Sequence, residues 1–384
     1  MPYITIPLKQ KQHKISMEDL FFGVESLFDL NARDTYDTLT VYKKVTPPSL
    51  TEKLQVEKLV VFLKDFNQKH SSLFEADKKS LYYKFSIPKK KGGYREICAP
   101  NDALKEALRE LKSIFEYQFH VKYHTSAFAY IKNRRCMDVA KRHQKNESKW
   151  FATFDFKDFF GSISIDFLMQ QFSLIYPFSE ICKNEEYKTI LQHTMSLCFL
   201  NGGLPQGTPI SPMLTNIIMI PIDHLISREI RALNKRFVYT RYCDDIQISS
   251  RFDFKPQEIQ TLIEGVLERF NAPIKIKPEK TKYTAIHGRN WILGVMLNKD
   301  NQVTIGHTNK KTFKNGLNNL FRDYAAGIKW DPNDVQIFAG HKAYYESIEP
   351  EAIKAIVEKY EERFNLKLKS VIKDCLNINA KIFI

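Results

Sequence analysis

Residues 237–250 read FVYTRYCDDIQISS, in which two strand-like runs meet at Tyr242-Cys243-Asp244-Asp245. This pattern predicts a β-hairpin with two adjacent carboxylates at its tip. Aspartate is a poor strand residue, and neighbouring carboxylates repel each other. A divalent cation would neutralise the pair, whereas the simpler interpretation is an exposed turn that carries two acids. The rest of the sequence has to decide between a metal site and a surface turn.

The composition favours a polyanionic partner. The chain has 384 residues, and 58 Lys+Arg against 44 Asp+Glu give it a formal net charge of +14. Such an excess favours nucleic acid, although it is also compatible with a solubilising surface charge. The 6 cysteines are scattered without a CxxC pair, and no apolar run approaches the ~20 residues that span a bilayer. We therefore expect a cytoplasmic protein with no membrane segment, zinc site or disulfide framework.

The apolar pattern gives a coarse order of elements along the chain. The first ~75 residues are expected to be helical, as in the periodic stretch 49–67. Residues 82–87 and 94–99 predict a β-hairpin around the basic turn KKKGG at 89–93, and an amphipathic helix is expected at 103–119. Residues from about 150 to 297 mix strands and helices, and the pattern becomes helical again after Gly306.

Residues 150–165, WFATFDFKDFFGSISI, supply a third acid. Phe151–Phe154 is typical of a buried strand, with Asp155 at its end, while Asp158 better fits a cap for the next helix. Burying Asp155 among phenylalanines is costly without a counter-cation. Nucleotidyl transfer with two metal ions needs carboxylates from separate elements that converge on ions about 3.5–4 Å apart. Asp155 and the turn at 242–245 are candidates for that arrangement.

A Gly- and Pro-rich segment, NGGLPQGTPISPMLTN at 201–216, lies between the two acidic segments. Its glycines and prolines prevent regular structure up to about Ser211. Ser211 then fits a helix N-cap, and Pro212 fits the first helical position. Such a loop lets backbone amides approach a ligand closely. Alone it is a weak signal.

In order, these motifs resemble those of reverse transcriptases. The set consists of FDFKDFF around Asp155, GLPQGTPISP, YCDD, KPEKTKY around Lys280, and WILGVMLN around Gly294. The resemblance is close to bacterial enzymes of the retron, group II intron and defence-associated lineages. Upstream, IPKKKGGYREICAPNDALKEAL is similar to the fingers motif of that group, and residues 338–350 are similar to the start of its thumb. The resemblance covers about residues 82–350.

This resemblance implies an α+β fold of the right-hand polymerase type, with fingers, a palm that contains an antiparallel sheet, and a helical thumb. The implied division is a helical N-terminal region at 1–75, fingers at 76–150, palm at 151–305 and helical thumb at 306–384. The implied activity is RNA-directed DNA polymerisation. The implied partners are a non-coding RNA template and primer, dNTPs, an RNA–DNA hybrid and, further, an effector protein or a second copy of the chain.

The resemblance also assigns catalytic and metal-binding roles. Asp155, Asp244 and Asp245 would bind two Mg²⁺ ions, for which Mn²⁺ could substitute, and Phe156 would add its backbone carbonyl. Lys280 would position or protonate the pyrophosphate. The three acids argue against a catalytically inactive RNA-binding scaffold.

Nucleotide-binding roles follow in the same way. Phe160, five residues after Asp155, matches the aromatic gate that clashes with a ribose 2′-hydroxyl, and the alternative is an ordinary core phenylalanine. Arg95 would clamp the triphosphate together with Lys90 or Lys91. The templating base pair would pack against the two residues of the Gly/Pro segment that match the motif, Gln206 and Gly207.

The chain departs from the retron pattern at two places. Residues 139–143, VAKRH, lack the asparagine of the retron segment Asn-Ala-x-x-His, and residues 303–306, VTIG, have isoleucine where glycine is expected. Two functions therefore stay open. The first is synthesis of DNA on an associated non-coding RNA in an antiphage defence system. The second is template-independent or protein-primed addition of deoxynucleotides.

Overall fold

The computed structural model describes residues 3–7, 12–16, 50–89, 92–118, 123–233, 235–285 and 291–376. The chain folds into two compact units. The first unit comprises Met1–Arg134, Ala152–Ser249 and Asp253–Tyr283, and the second comprises Arg135–Phe151, Ser250–Phe252 and Thr284–Ile384. The boundaries of these units differ from the four-part division expected from sequence, because residues 135–151 and 250–252 group with the C-terminal part.

Strands and helices alternate irregularly along the chain. The strands are β1 (Tyr3–Pro7), β2 (Gln12–Ser16), β3 (Tyr82–Pro88), β4 (Tyr94–Pro100), β5 (Trp150–Lys157), β6 (Val238–Tyr242), β7 (Asp245–Ser250), β8 (Lys275–Ile276), β9 (Lys282–Ala285), β10 (Trp291–Ile292), β11 (Val295–Leu297) and β12 (Val303–Thr304). The α-helices are α1 (Leu50–Lys69), α2 (Ser71–Glu75), α3 (Asp102–Ser113), α4 (Cys136–Lys145), α5 (Ile165–Phe172), α6 (Phe178–Ile181), α7 (Glu185–Ser196), α8 (Ser211–Ala232), α9 (Pro256–Arg269), α10 (Gly306–Ala325), α11 (Pro332–Ile348), α12 (Pro350–Phe364) and α13 (Leu368–Cys375). Among the described residues, no helix is both apolar enough and long enough to cross a membrane.

The start of the chain is not helical as expected. β1 and β2 pair antiparallel, with Tyr3 opposite Ser16 and Pro7 opposite Gln12. The sequence YITIP has three successive β-branched residues, and its apolar and polar positions alternate, which favours a strand over a helix. The helical prediction holds for α1 and α2. Residues 17–49 lie outside the described ranges.

A five-stranded sheet lies at the centre of the chain. Its strand order is β6-β7-β5-β8, and β9 also pairs with β5. β6 and β7 form an antiparallel hairpin, and β5 pairs antiparallel with β8, with Phe156 opposite Ile276. β5 continues through Asp155 to Lys157, so this acid lies within the strand and not at its end. The mixed helices and antiparallel strands confirm the α+β class.

Two helix starts differ in detail from the sequence prediction. Ser164 caps α5, because its hydroxyl accepts a hydrogen bond from the Phe167 N–H at 3.2 Å. Asp158 therefore does not cap this helix, and instead it occupies a tight turn at φ 43°. α8 begins at Ser211 itself, whose N–H donates to the Thr208 hydroxyl at 3.2 Å. The N-cap is therefore Ile210, which offers no side-chain oxygen, and Ser211 is the first helical residue and not the cap.

The hairpin expected near residue 90 is present as β3 and β4, paired antiparallel from Tyr82–Pro100 to Pro88–Tyr94. Asn101 ends the hairpin and caps α3 by accepting from the Leu104 N–H at 2.9 Å. The face of α3 that carries Leu104 and Leu108 is buried, as its amphipathic pattern predicted.

The second unit contains its own core. The strands β10, β11 and β12 form a three-stranded sheet, and α4 packs against β11. Helices α10 to α13 bury a shared apolar cluster that includes Phe313, Leu317, Phe321, Ile353 and Val371. The helical pattern expected after Gly306 is therefore confirmed.

A close glycine contact fixes the loop before α8 against the turn after β5. A Cβ atom on Gly203 would lie 2.4 Å from the carbonyl oxygen of Gly161, which is far inside van der Waals contact. The next residue, Leu204, donates its N–H to the Phe160 carbonyl at 3.1 Å. The two loops can approach this closely only because position 203 has no side chain.

We therefore expect Gly203→Ala to destabilise the protein by about 1–3 kcal/mol, because the two backbones must separate to admit the methyl group. Urea unfolding followed by circular dichroism measures this change. The control is Gly265→Ala in α9, where an added Cβ meets no atom within 4 Å. That variant should gain about 0.5–1 kcal/mol, because alanine restricts the unfolded chain. Equal stability of Gly203→Ala and the wild type would contradict the close contact.

Candidate active site

The two adjacent acids lie at the tip of the β6–β7 hairpin, as the sequence predicted. Tyr242 pairs with Asp245, which leaves Cys243 and Asp244 as a two-residue loop. Cys243 is buried and has φ 59°, a conformation that glycine adopts more readily than other residues. Asp244 and Asp245 are half-buried. The YCDD turn, residues 242–245, is therefore a tight turn packed into the first unit and not an exposed loop.

Strand β5 brings Asp155 beside this turn. The Phe156 N–H donates to the Asp244 carbonyl oxygen at 3.1 Å, and the Lys277 N–H donates to the Asp155 carbonyl oxygen at 2.8 Å. Asp155 is only 8% exposed, and Phe156 is fully buried. Backbone hydrogen bonds on both sides of β5 thus hold Asp155 between the turn and β8.

The three carboxylates are close enough to affect one another. Burial is the largest cause that raises the pKa of Asp245 to about 6, and the negative charges of Asp244 and Asp155 raise it further. The charges of Lys280 and Lys282 act in the opposite direction. Like charges held in a half-buried site favour the neutral acid or a bound cation.

Two lysines provide positive charge at Asp155. Lys280 Nζ donates to Asp155 Oδ2 at 2.8 Å, and Lys277 Nζ lies 3.0 Å from Oδ1. Partial burial lowers the pKa of Lys280, but the hydrogen bond to Asp155 and the negative charge of that residue outweigh it, so the pKa is raised. Sequence reasoning identified Lys280 but missed Lys277. The available signal was the motif KPEK at 277–280, which begins with Lys277 and ends with Lys280.

These residues fit a divalent cation by the chemistry of their donors. Hard cations such as Mg²⁺ prefer carboxylate oxygens. Asp155 Oδ1 is buried and has no hydrogen-bond partner, because Lys277 Nζ, although near, lies off the hydrogen-bonding direction. In the described part of the chain, no three His, Cys, Asp or Glu side chains already stand together in ligating geometry. Asp155 would therefore have to exchange its lysine contacts to join Asp244 and Asp245 around a cation.

Phe160 lies in the turn that follows β5. Its ring is half-buried and meets the Phe159 ring edge-on, with 5.9 Å between centroids. Phe159, by contrast, is buried and stacks on Phe156. The Phe160 carbonyl accepts from the Leu204 N–H, so the loop at 201–210 fixes its backbone. Phe160 thus presents part of its ring outside the core, which distinguishes it from its neighbour.

The same loop is joined to the β3–β4 hairpin. The Cys98 N–H donates to the Gln206 carbonyl oxygen at 2.8 Å. Gly207 has φ +118°, and a Cβ there would lie 2.8 Å from Ile97 Cγ2. Arg95 stands exposed on β4 of this hairpin. The structure thus links the hairpin that carries Arg95 to Gln206 and Gly207, while Lys90 and Lys91 lie outside the described residues.

Tyr130 is a further residue at the site that sequence reasoning missed. It is 54% exposed and has φ 59°. Burial of part of the side chain raises the pKa of its phenol, and the neighbouring Cys243 and Asp244 raise it further. Tyr130 belongs to no recognisable sequence motif. Only its positive φ and its position near Cys243 and Asp244 identify it as a neighbour of the YCDD turn.

The chain is similar to several known proteins. Residues 87–314 match the family described as "Reverse transcriptase (RNA-dependent DNA polymerase)". The retron Ec73 reverse transcriptase of Escherichia coli is 28% identical over 281 residues, which cover 72% of this chain and 86% of that protein. The retron Ec83 reverse transcriptase of Escherichia coli is 26% identical over 293 residues, which cover 73% and 87%. A telomerase from Candida albicans, solved in complex with a TWJ fragment of telomeric RNA, aligns with a TM-score of 0.42 at 13% identity, covering 82% of this chain and 63% of that one.

The crowding of carboxylates predicts a pH-dependent effect of Asp245→Asn in protein kept metal-free with EDTA. A carboxyl whose pKa is raised in the folded state contributes stability below its unfolded pKa, and this contribution is lost as the pH rises through about 6. The amide cannot ionise, so the variant should exceed the wild type in stability by at most about 3 kcal/mol near neutral pH and much less near about pH 4.

Urea unfolding at several pH values measures this difference. Asp300→Asn is the control, because Asp300 is an exposed carboxylate in the turn after β11. This control removes an exposed carboxylate by the same substitution. A constant difference between Asp245→Asn and the wild type across the range would show that the pKa of Asp245 is not raised in the folded protein.

Proposed function

The chain belongs to the reverse transcriptase (RNA-dependent DNA polymerase) family, and we propose that it makes DNA by two-metal nucleotidyl transfer at Asp155, Asp244 and Asp245. Its α+β fold is that of a right-hand polymerase, and it is an RNA-directed DNA polymerase of the retron type, as its similarity to two retron enzymes over most of the chain indicates. The observation that carries the proposed mechanism is the meeting of Asp155 with the YCDD turn, where burial and the charges of Asp244 and Asp155 raise the pKa of Asp245.

The proposed chemistry needs two Mg²⁺ ions, which would activate a primer 3′-hydroxyl and stabilise the leaving pyrophosphate. Asp155, Asp244 and Asp245 would hold these ions, with the Phe156 carbonyl as a further ligand. If Asp155 held a cation, Lys280 Nζ would lose its partner. Because its side chain is 52% exposed, Lys280 could then bind the pyrophosphate and give it a proton. Lys277, which is 24% exposed, would keep positive charge beside Asp155 during this exchange.

The incoming nucleotide is proposed to lie between the β3–β4 hairpin and the turn after β5. Arg95, together with Lys90 or Lys91, would bind the triphosphate. Gln206 and Gly207 would contact the templating base pair, supported by the hydrogen bond from Cys98 to the Gln206 carbonyl. Phe160 would face the sugar and exclude a 2′-hydroxyl, because part of its ring stands outside the core.

The proposed template and primer belong to a non-coding RNA encoded with the enzyme, and the proposed role is antiphage defence. The net charge of +14 supports an extended contact with a polyanion. The retron names of the similar enzymes support an RNA of the retron kind. Loss of phage resistance in cells that carry the locus with Asp244→Ala would test this role.

The decisive test of the mechanism uses the purified protein with its copurifying RNA, Mg²⁺ and either single or mixed dNTPs. We expect a DNA product that requires all the templated bases and disappears after RNase pretreatment. Asp244→Ala should abolish this product while RNA binding is retained, because the acids serve the chemistry and the basic surface provides the affinity.

Two outcomes would contradict the proposal. A homopolymer made from one dNTP and insensitive to RNase would favour template-independent or protein-primed synthesis. Normal incorporation by Asp244→Ala would remove this carboxylate from the mechanism.

Sugar selection gives an independent prediction. Phe160→Ala should accept ribonucleotides, with the preference for dCTP over rCTP reduced by roughly tenfold or more, because the ring no longer meets the 2′-hydroxyl. Single-nucleotide extension with each triphosphate measures this ratio. Phe159→Leu is the matched control, since that ring is buried and should affect stability but not the ratio. If Phe160→Ala discriminates as the wild type does, another residue selects the sugar.

A further inference from the structure

A buried ion pair lies next to the YCDD turn. Arg241 in β6 and Asp223 in α8 are both fully buried, with their side chains 0% exposed. Arg241 Nη2 donates to Asp223 Oδ2 at 2.8 Å, and Nε donates to Oδ1 at 2.8 Å. Burying two charges usually takes more free energy than their attraction returns, so an apolar pair would often serve stability equally well. Stability alone therefore does not account for this ion pair.

The third nitrogen of the guanidinium, Nη1, does not bind Asp223 and reaches the turn instead. Arg241 Nη1 donates to the Cys243 carbonyl oxygen at 3.0 Å, while Nη2 also contacts Asn216 Oδ1 at 3.2 Å. The Cys243 carbonyl belongs to the peptide that joins Cys243 to Asp244. The arginine thus holds the peptide from which one of the two turn acids projects.

The remaining contacts fix the arginine itself. Tyr239 donates its hydroxyl to Asp223 Oδ1 at 2.6 Å, and Asn216 donates its side-chain amide to the Ala129 carbonyl at 2.8 Å. The backbone of Arg241 bonds the neighbouring segment on both sides, since its N–H donates to Ser126 at 2.7 Å and its carbonyl accepts from Phe128 at 2.9 Å. Asp223 and Asn216 of α8 therefore hold the guanidinium, and the segment 126–128 holds the backbone of Arg241.

The turn needs such support because of its backbone. Cys243 has φ 59°, and two-residue hairpin loops usually place glycine or asparagine at positions with positive φ. A cysteine there is strained, and such strain persists only where the surroundings impose it. The bond from Arg241 falls on the strained residue itself.

We propose that Arg241, held by Asp223, is a positioning residue that fixes the Cys243–Asp244 peptide and so aims the Asp244 carboxylate at the reacting atoms. This inference rests on the proposed function of Asp244. It gives a role to Arg241 and Asp223, which are the only Lys, Arg, Asp or Glu residues in the stretches VYTRY and IIMIPIDHL.

The test is Arg241→Lys, assayed in the full-length protein with its copurifying RNA. Lysine keeps a positive charge for Asp223, but its single ammonium group cannot reach Asp223, Asn216 and the Cys243 carbonyl in one plane. We expect kcat for dNTP addition to fall by about 10- to 100-fold, with KM for dNTP changed by less than about twofold, because a displaced carboxylate weakens the transition state more than nucleotide binding. Mn²⁺ binding to the free protein, followed by electron paramagnetic resonance, should weaken in parallel.

Arg269→Lys is the matched control. Arg269 in α9 pairs with Glu229, which lies on α8 as Asp223 does, but this pair joins two helices and does not contact the turn. The same substitution there should leave kcat and Mn²⁺ binding unchanged. If Arg241→Lys also retains kcat within about twofold, the positioning role is wrong.

A second variant covers the case in which Arg241→Lys fails to fold. Arg241→Met combined with Asp223→Leu replaces the ion pair by apolar side chains of similar size and should recover thermal stability. It still lacks the donor to Cys243, so its kcat should stay low. Recovery of kcat together with stability would reduce the pair to a structural role. Asp244→Ala, run in the same assay, separates the two questions, because activity in that variant would overturn the proposed function and not this inference alone.

Discussion

Repulsion among three carboxylates is the constraint on which the centre of this protein depends. Asp155, Asp244 and Asp245 come from two neighbouring strands, and burial, together with the negative charges of Asp244 and Asp155, raises the pKa of Asp245 to about 6. Positively charged side chains contact both of the acidic segments. Lys277 and Lys280 follow β8 and reach Asp155 from one side, and Arg241 supports the turn from below. The arrangement keeps the acids together although their charges favour separation.

The backbone around these acids is as constrained as the side chains. The loop before α8 touches the turn after β5 at Gly203 and touches β4 at Gly207, and both contacts leave no room for a Cβ atom. The loop therefore joins three elements: the strand that carries Asp155, the hairpin that carries Arg95, and the long buried helix α8. Through Asp223, α8 also reaches the arginine under the YCDD turn. A single packed framework thus connects every described residue with a proposed role in nucleotide addition.

Much of this could be predicted from local sequence. The alternating runs around YCDD predicted the hairpin, and the Phe-rich segment predicted a buried strand with Asp155. Predictions that depend on one or two atoms were less successful. Ser211 and Asp158 are predicted to cap helices, but Ile210 precedes α8 without a capping side chain and Ser164 caps α5, because the position of the cap depends on the exact path of the loop. The helical prediction is wrong at Tyr3–Pro7, because this short segment has a period-two pattern and the longer helical pattern begins only after it.

The lysine contacts of Asp155 have a consequence for how the molecule is assembled. Zinc-finger domains need their metal to fold, because the ligands have no other partner. Here the buried acid already has a partner from the same chain, since Lys277 and Lys280 lie within 3.0 Å and 2.8 Å of its oxygens. Folding therefore need not wait for a metal. Under the proposed mechanism, newly made protein would mature where free magnesium is scarce, and ions arriving with a nucleotide would release the two lysines to a different anion.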